Sequence, residues 1–254
     1  MLLLHGFGDT PQTLRYLAED LASHGYDVRV PLLPGHGRTV EAFDRALHTE
    51  WIAAARSEFA EMRATYPWVA LGGLSMGGAL AVIVAAENPD LPALILLAPY
   101  LGMPWYMRMA ATFAWLWSDR VGPIASTSDR SVHDPVERAK NLSYSAVTGR
   151  AMHELASIAK IARRALPHVT APTLLMQSRE DNRVASSVAE RAFVALGATE
   201  KRLVFTHGAG HILTVDYGRE RVFQEVRAWL GGGPGTAPPE PDVTDGVVSV
   251  QPLR

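Results

Sequence analysis

Val69-Ala70-Leu71-Gly72-Gly73-Leu74-Ser75-Met76-Gly77-Gly78-Ala79-Leu80-Ala81 joins an apolar, strand-like run to a small-residue run of helical character. Between the two, Gly73-Leu74-Ser75-Met76-Gly77 has the Gly-x-Ser-x-Gly spacing of a nucleophile elbow. A serine on so sharp a strand-to-helix turn takes strained backbone angles, and its neighbours two residues away on either side must approach closely, which glycine permits because it has no Cβ. The turn lifts the Ser75 hydroxyl above the sheet and over the first unpaired N–H groups of the next helix, where negative charge is favoured. Ser75 is therefore the candidate nucleophile.

A serine hydroxyl near its free pKa attacks poorly unless a base takes its proton and a carboxylate orients that base. Two downstream segments offer those groups. The strand-like run Thr173-Leu174-Leu175-Met176-Gln177 leads into Ser178-Arg179-Glu180-Asp181-Asn182-Arg183-Val184, a polar loop in which Asp181 is the chosen acid and Glu180 its neighbouring rival. A second run, Arg202-Leu203-Val204-Phe205, leads into Thr206-His207-Gly208-Ala209-Gly210-His211, a glycine-loosened loop in which His211 is the chosen base. His207 reads as a strand-end or surface histidine, His5 as a brace for its own loop, and His36 as a residue near the pocket.

Leu2-Leu3-Leu4-His5-Gly6-Phe7-Gly8, the Ser75 pentapeptide with Gly78, Arg179-Glu180-Asp181-Asn182-Arg183-Val184 and Gly210-His211 together resemble the bacterial carboxylesterase and monoacylglycerol lipase branch of the α/β-hydrolase superfamily. The order serine, aspartate, histidine is the one that superfamily uses. The resemblance spans roughly residues 2 to 230 and extends to Pro31-Leu32-Leu33-Pro34-Gly35-His36-Gly37 and to Ser131-Val132-His133-Asp134-Pro135. It implies an oxyanion hole made by the backbone N–H groups of Phe7 and Met76, and its spacing to Val184 favours Asp181 over Glu180. It implies a serine carboxylic-ester hydrolase acting on short- or medium-chain esters or monoacylglycerols. The alternatives are a triad-bearing, receptor-like binding protein with little turnover, and a thioesterase on the same apparatus. Family members usually carry further N-terminal residues, so the N-terminal strands of the family sheet are expected to be missing. The sheet edge at Leu2–Leu4 would then be exposed, inviting self-association as a homodimer.

Composition agrees with a globular enzyme: 254 residues are 48% hydrophobic and 20% charged, enough chain to bury a large core. A net charge of −2 from 24 basic and 26 acidic residues gives no electrostatic footprint for nucleic acid. The absence of cysteine excludes disulfides, thiolate nucleophiles and cysteine-bound metals. No His-x-x-x-His pair with a nearby Glu supports a metal, and the chemistry needs no cofactor. No apolar run reaches the roughly 18 residues of a membrane span, and no basic segment precedes an apolar leader, so the cytoplasm is the default compartment.

Strands alternate with helices, the signature of a mostly parallel sheet covered on both faces. Thr10-Pro11 reads as an N-cap and first-turn proline opening a helix to Ser23, Asp27–Val30 as a strand, Glu50–Thr65 as a helix, and Leu94–Ala98 as an apolar strand. From Tyr100 to His168 helical signals dominate and no strand is evident. The chain thus divides into a core, 1–99 and 169–230, and a helical cap, 100–168, inserted after what corresponds to the sixth family strand. A Gly/Pro-rich flexible tail, 231–254, follows. Within the cap, the run from Trp105 to Trp117 holds three of the six tryptophans. It is apolar nearly all round, so it is expected to be covered on more than one side, packing as a buried helix, lining the pocket, or both. Such a pocket favours apolar acyl groups. The run lacks the Lys/Arg-rich face of an interfacial lid.

Overall fold

The structure is a computed structural model that describes residues 1–125, 130–144, 146–231 and 248–250. Its centre is a six-stranded sheet in the order β1-β2-β3-β6-β7-β8, made of β1 (Leu2–Leu4), β2 (Leu71–Leu74), β3 (Leu94–Leu97), β6 (Thr173–Ser178), β7 (Lys201–Thr206) and β8 (Val248–Val250). β1, β2, β3, β6 and β7 pair in parallel, with Leu3 opposite Gly72, Gly73 opposite Leu96 and Leu97 opposite Met176. The short apolar strands are buried on both faces, as parallel strands between helices must be. Alternation sends Leu2, Leu4, Leu94 and Leu96 into one core and Leu3, Ile95 and Leu97 into the other.

The first core is closed by α3 (His48–Thr65), α4 (Met76–Ala86) and α9 (Ser186–Ala195), the second by α1 (Arg15–Ser23) and α10 (Arg219–Gly231). α4 is buried from Met76 to Ala85, which explains its all-small, all-apolar sequence. α1 follows a short 3₁₀ turn, Pro11–Leu14, capped by the Thr10 hydroxyl as the Thr-Pro pair predicts. None of the described helices is long and apolar enough to cross a membrane.

Residues 27–30 depart from the expected strand. They form only an isolated bridge, Leu2 to Arg29, because Pro31 offers no N–H to extend the ladder. That bridge nevertheless lies along the outer edge of β1, with Leu3 N–H donating to Arg29 O at 2.9 Å and Arg29 N–H to Met1 O at 2.9 Å. The edge expected to stand open is thus flanked by the chain's own backbone.

Between β3 and β6 the chain forms α5 (Trp105–Thr112), α6 (Ala114–Val121), β4 (Ile124–Ala125), α7 (Pro135–Ala139), β5 (Ala146–Val147) and α8 (Gly149–Ala165). β4 and β5 pair antiparallel, two short strands the sequence reading missed. The run from Trp105 to Trp117 is also not one covered helix. It breaks at Phe113, whose φ of −101° and ψ of 19° leave the helical range, one residue after the Thr112 hydroxyl bonds back to Arg108 O at 2.8 Å. Trp105 is 71% exposed, and Tyr106, Met109, Phe113 and Leu116 are exposed as well. α2 (Val40–Arg45) packs near β5 and α8. Of the segment expected to be a flexible tail, residues 232–247 and 251–254 lie outside the described residues. Val248–Val250 instead pair antiparallel with β7, as β-branched residues alternating with serine favour.

Candidate active site

The elbow is built by steric necessity. Ser75 sits at φ 55°, ψ −116°, a conformation that costs an L-residue on the order of 1–3 kcal/mol. The surrounding backbone fixes that conformation: Ser75 N–H donates to Leu97 O at 2.9 Å, and Ser75 O accepts from Tyr100 N–H at 2.9 Å. A Cβ on Gly73 would lie 2.3 Å from Gly77 C, and one on Gly77 would lie 1.9 Å from Leu4 O. Both contacts are with backbone that has no room to yield, so the two glycines of the motif are obligatory.

Three loops at the C-terminal ends of β2, β6 and β7 bring together Ser75, Asp181 and His211. The Ser75 hydroxyl donates to His211 Nε2 at 2.8 Å, and His211 Nδ1–H donates to Asp181 Oδ2 at 2.7 Å. Asp181 also accepts from Gln177 Nε2 at 2.7 Å and from the backbone N–H groups of Arg183 at 2.7 Å and Val184 at 2.9 Å. Burial alone would raise its carboxyl, but the neighbouring His211 and these hydrogen bonds hold it below the ordinary carboxylate value. Glu180 turns the other way, pairing with exposed His207 at 3.3 Å and accepting from Gly208 N–H at 3.2 Å.

The Phe7 loop lies beside Ser75, since a Cβ on Gly6 would be 3.4 Å from Ser75 Cβ. His5 braces this loop, its Nδ1–H donating to Gly6 O at 2.9 Å and its Nε2 accepting from Leu33 N–H at 3.1 Å. Burial, then the nearby His36 ring, lowers the His5 pKa to about 3. The Phe7 ring packs edge-on against Phe43 and Trp51, and Tyr144 N–H ties the loop to the inserted segment through Gly8 O at 2.9 Å. Met76 is the first residue of α4, so its N–H has no partner four residues back along the helix. His36 is buried against His5, Phe43 and Trp51 and is not part of the cavity wall.

Ser75 and His211 open into a cavity of about 370 Å³. Much of its wall is apolar, with Phe7, Phe43, Val147, Met152 and Leu155 prominent, and Tyr106 and Met107 from α5 complete it. A polar group also faces it. Ser131 Oγ donates to Asn182 Oδ1 at 3.2 Å and accepts from Arg183 Nε at 3.0 Å, and Asp9 is buried nearby. Burial raises the Asp9 pKa to about 6, against the opposing pull of His211 and Arg183. Asp9 was passed over in the sequence, although it follows Phe7 by two residues in the same loop. Asp216 was also missed: its buried carboxylate accepts from Gly210 N–H at 2.7 Å and from the N–H groups of His133 at 2.7 Å and Asp134 at 2.9 Å, fixing the His211 loop against residues 131–134. Among the described residues, no group of three or more histidine or carboxylate side chains could hold a metal ion.

A mostly parallel sheet, with a serine on a strained strand-to-helix turn and a histidine loop three strands away from it, defines an α/β-hydrolase. A family model described as serine aminopeptidase, S33, matches residues 1–217, and the chain belongs to that family. A thermostable monoacylglycerol lipase of Bacillus sp. (strain H-257) is 27% identical over 226 residues, 88% of this chain and 87% of that protein. A carboxylesterase of Bacillus subtilis (strain 168) is 23% identical over 240 residues, 91% of each chain. A solved structure from work on LipS and LipT, two metagenome-derived lipolytic enzymes, superposes with a TM-score of 0.83 at 29% identity, covering 91% of this chain and 92% of the other. The protein is a serine hydrolase of the lipase and esterase kind.

Proposed function

We propose that Ser75, His211 and Asp181 form a catalytic triad that hydrolyses apolar carboxylic esters, with short- or medium-chain acyl esters or monoacylglycerols as the substrate class. The observation that carries this reading is the continuous hydrogen-bonded row Asp181–His211–Ser75 at the wall of a cavity with a largely apolar lining. The names of the Bacillus relatives, a monoacylglycerol lipase and a carboxylesterase, support the same substrate class. Residues 100–168 act as a helical cap that selects the acyl group, over a core formed by residues 1–99 and 169–230.

His211 Nε2 takes the Ser75 proton as Ser75 Oγ attacks the ester carbonyl, and Asp181 stabilises the imidazolium that results. The Phe7 and Met76 N–H groups stabilise the tetrahedral oxyanion, each such donor contributing on the order of 10²–10³ in rate. His211 returns the proton to the leaving alkoxide, which departs as the alcohol and leaves an acyl-Ser75. Water, deprotonated by His211, then releases the acid. Each methylene buried against the apolar wall adds about 0.8 kcal/mol, so the cavity discriminates acyl lengths in small steps.

The test is hydrolysis of a chromogenic ester series from acetyl to palmitoyl by the wild type and by Ser75→Ala. An aminoacyl-nitroanilide is included because the family description names an aminopeptidase. We expect Ser75-dependent multiple turnover that peaks within the series and leaves the anilide intact. Absence of Ser75-dependent turnover in folded protein would remove the triad reading in favour of ligand binding, and anilide cleavage would replace the ester with a peptide-type substrate.

A further inference from the structure

A second cavity lies on the far side of Met103 from the active site. It is a groove of about 580 Å³ between α5 and α8, and Met103 borders both spaces. Arg108 faces the groove from α5. Lys160, Arg163 and Arg164 face it from α8, the two arginines three and four positions after Lys160 and hence on its side of that helix, with Ser157 a turn earlier. The four cations come from two stretches of sequence some fifty residues apart, and only the packing of α5 on α8 brings them together.

None of the four has a carboxylate partner among the described residues. Arg163 donates one hydrogen bond, to Leu101 O at 3.3 Å. Several exposed arginines elsewhere on the surface are matched, Arg29 with Glu58 and Glu61, Arg56 with Glu87 and Arg63 with Asp90, so what marks the groove is the convergence of four cations on one concavity. In the groove the charged neighbours of Arg163 are other cations, Arg108 and Arg164. Burial, followed by the charges of Arg108 and Arg164, lowers the Arg163 pKa, and Lys160 and Arg164 form a like-charge i,i+4 pair, which weakens a helix. The dipole at the C-terminus of α8 favours Arg163 and Arg164 in its last turn, but it accounts neither for Lys160 a turn earlier nor for Arg108 on another helix. A concave, uncompensated cluster of three guanidinium forks and an ammonium, with a serine hydroxyl at its rim, is complementary to a multiply charged anion with several acceptor oxygens.

We propose that the groove between α5 and α8 is a binding site for a phosphate group, distinct from the acyl cavity and divided from it by Met103. The group is either a soluble phosphate or phosphoester, or the phosphodiester of an anionic lipid headgroup. The apolar side chains exposed on α5, Trp105 and Met109, would meet acyl chains in the second case.

The proposal is tested on the Ser75→Ala chain, so that its outcome is independent of hydrolysis. Inorganic phosphate binding is measured by calorimetry against chloride at matched ionic strength. Vesicle flotation compares pure phosphatidylcholine with phosphatidylcholine containing phosphatidylglycerol. Both are repeated with Lys160→Gln/Arg163→Gln/Arg164→Gln and with Arg108→Gln alone. We expect salt-sensitive binding of at least one probe, weakened by Arg108→Gln and lost in the triple variant, whose folding is checked by circular dichroism; should it fail to fold, Arg108→Gln and Lys160→Gln carry the comparison. Phosphate binding without vesicle binding assigns the site to a soluble phosphoester, and phosphatidylglycerol-dependent flotation without phosphate binding assigns it to a lipid headgroup. No binding of either probe above the chloride and phosphatidylcholine backgrounds, or equal binding by folded neutralised variants, overturns the proposal.

Discussion

At the elbow a single methyl group has nowhere to go, because a Cβ on Gly77 would fall 1.9 Å from Leu4 O; in α5, which lines the same cavity, the whole Trp105 side chain stands 71% exposed. One region is held by backbone on backbone, and every residue of α4 from Met76 to Ala85 is buried behind it. The other is held by one face only, with Tyr106 and Met109 left to solvent. A rigid mount for the proposed nucleophile opposite a loosely covered wall fits a division of labour in which chemistry requires atoms fixed to a fraction of an ångström, while substrate choice rests on a surface that tolerates change.

The contrast breaks first, and most severely, at the glycines. Gly77→Ala is expected to eliminate folded protein, a cost above about 4–5 kcal/mol, because the added atom meets backbone and not a movable side chain. Gly122→Ala, just after α6, meets nothing within 4 Å and carries only the cost of its φ of 69°, about 1–2 kcal/mol. Circular dichroism and thermal melting of the two variants measure the difference directly. A folded, active Gly77→Ala chain would contradict the steric account.

Asp181→Asn tests whether the mount extends to the histidine. The asparagine keeps the shape but cannot stabilise the imidazolium, so kcat for a good ester is expected to fall by about 10⁴ with melting little changed. A loss below about tenfold would instead point to Glu180 or to another orienting group.

Asp9 and the histidine pair make opposite demands on pH. A carboxyl whose pKa rises to about 6 binds its proton more tightly when folded, so its contribution to stability falls as pH rises from about 4 to about 6. Asp9→Asn is expected to raise unfolding free energy at pH 7.5 by on the order of 2–3 kcal/mol and to gain nothing at pH 4. The lowered values of His5 and His36, about 3 and about 4, act in the other sense: their contribution is complete above pH 6.5 and is lost as pH falls toward those values. Urea unfolding at pH 4, 5.5 and 7.5 of the wild type and Asp9→Asn separates the two. A pH-independent difference between the two proteins would mean that the Asp9 carboxyl is not desolvated.

What was legible in the sequence follows the same division. The elbow could be read because its glycines, its serine and its flanking runs are consecutive, and Asp181 and His211 because each follows a strand-like apolar run by a few residues. Asp216 works partly through His133 and Asp134, distant in sequence, while Gln177 bonds to the loop directly after it but reads only as the last residue of a strand, and Asp9 is set apart only by its burial. The break at Phe113 was hidden because a uniformly apolar run carries no periodicity to show where one helix ends and the next begins. The cationic groove was invisible for a related reason: Arg108 and the α8 cations look scattered until tertiary packing aligns them. β8 rests on three residues inside a Gly/Pro-rich stretch, too short a pattern to outweigh its surroundings.

The smallest effect belongs to the exposed wall. If α5 is held by one face, removing the Trp105 ring should cost at most about 0.5–1 kcal/mol, because most of its surface is already hydrated and little apolar area returns to water on truncation. Trp51 is its counterpart on the rigid side: fully buried against Phe7, Phe43 and His36, with its Nε1–H donating to Pro34 O at 2.8 Å, it should cost about 3–5 kcal/mol when changed to alanine. Melting of Trp105→Ala and Trp51→Ala under one set of conditions puts the two walls on a single scale. Equal losses would mean that α5 is covered in solution by something that restores the burial its sequence demands, and the phosphatidylglycerol vesicles used to probe the neighbouring groove would then be the first cover to add back.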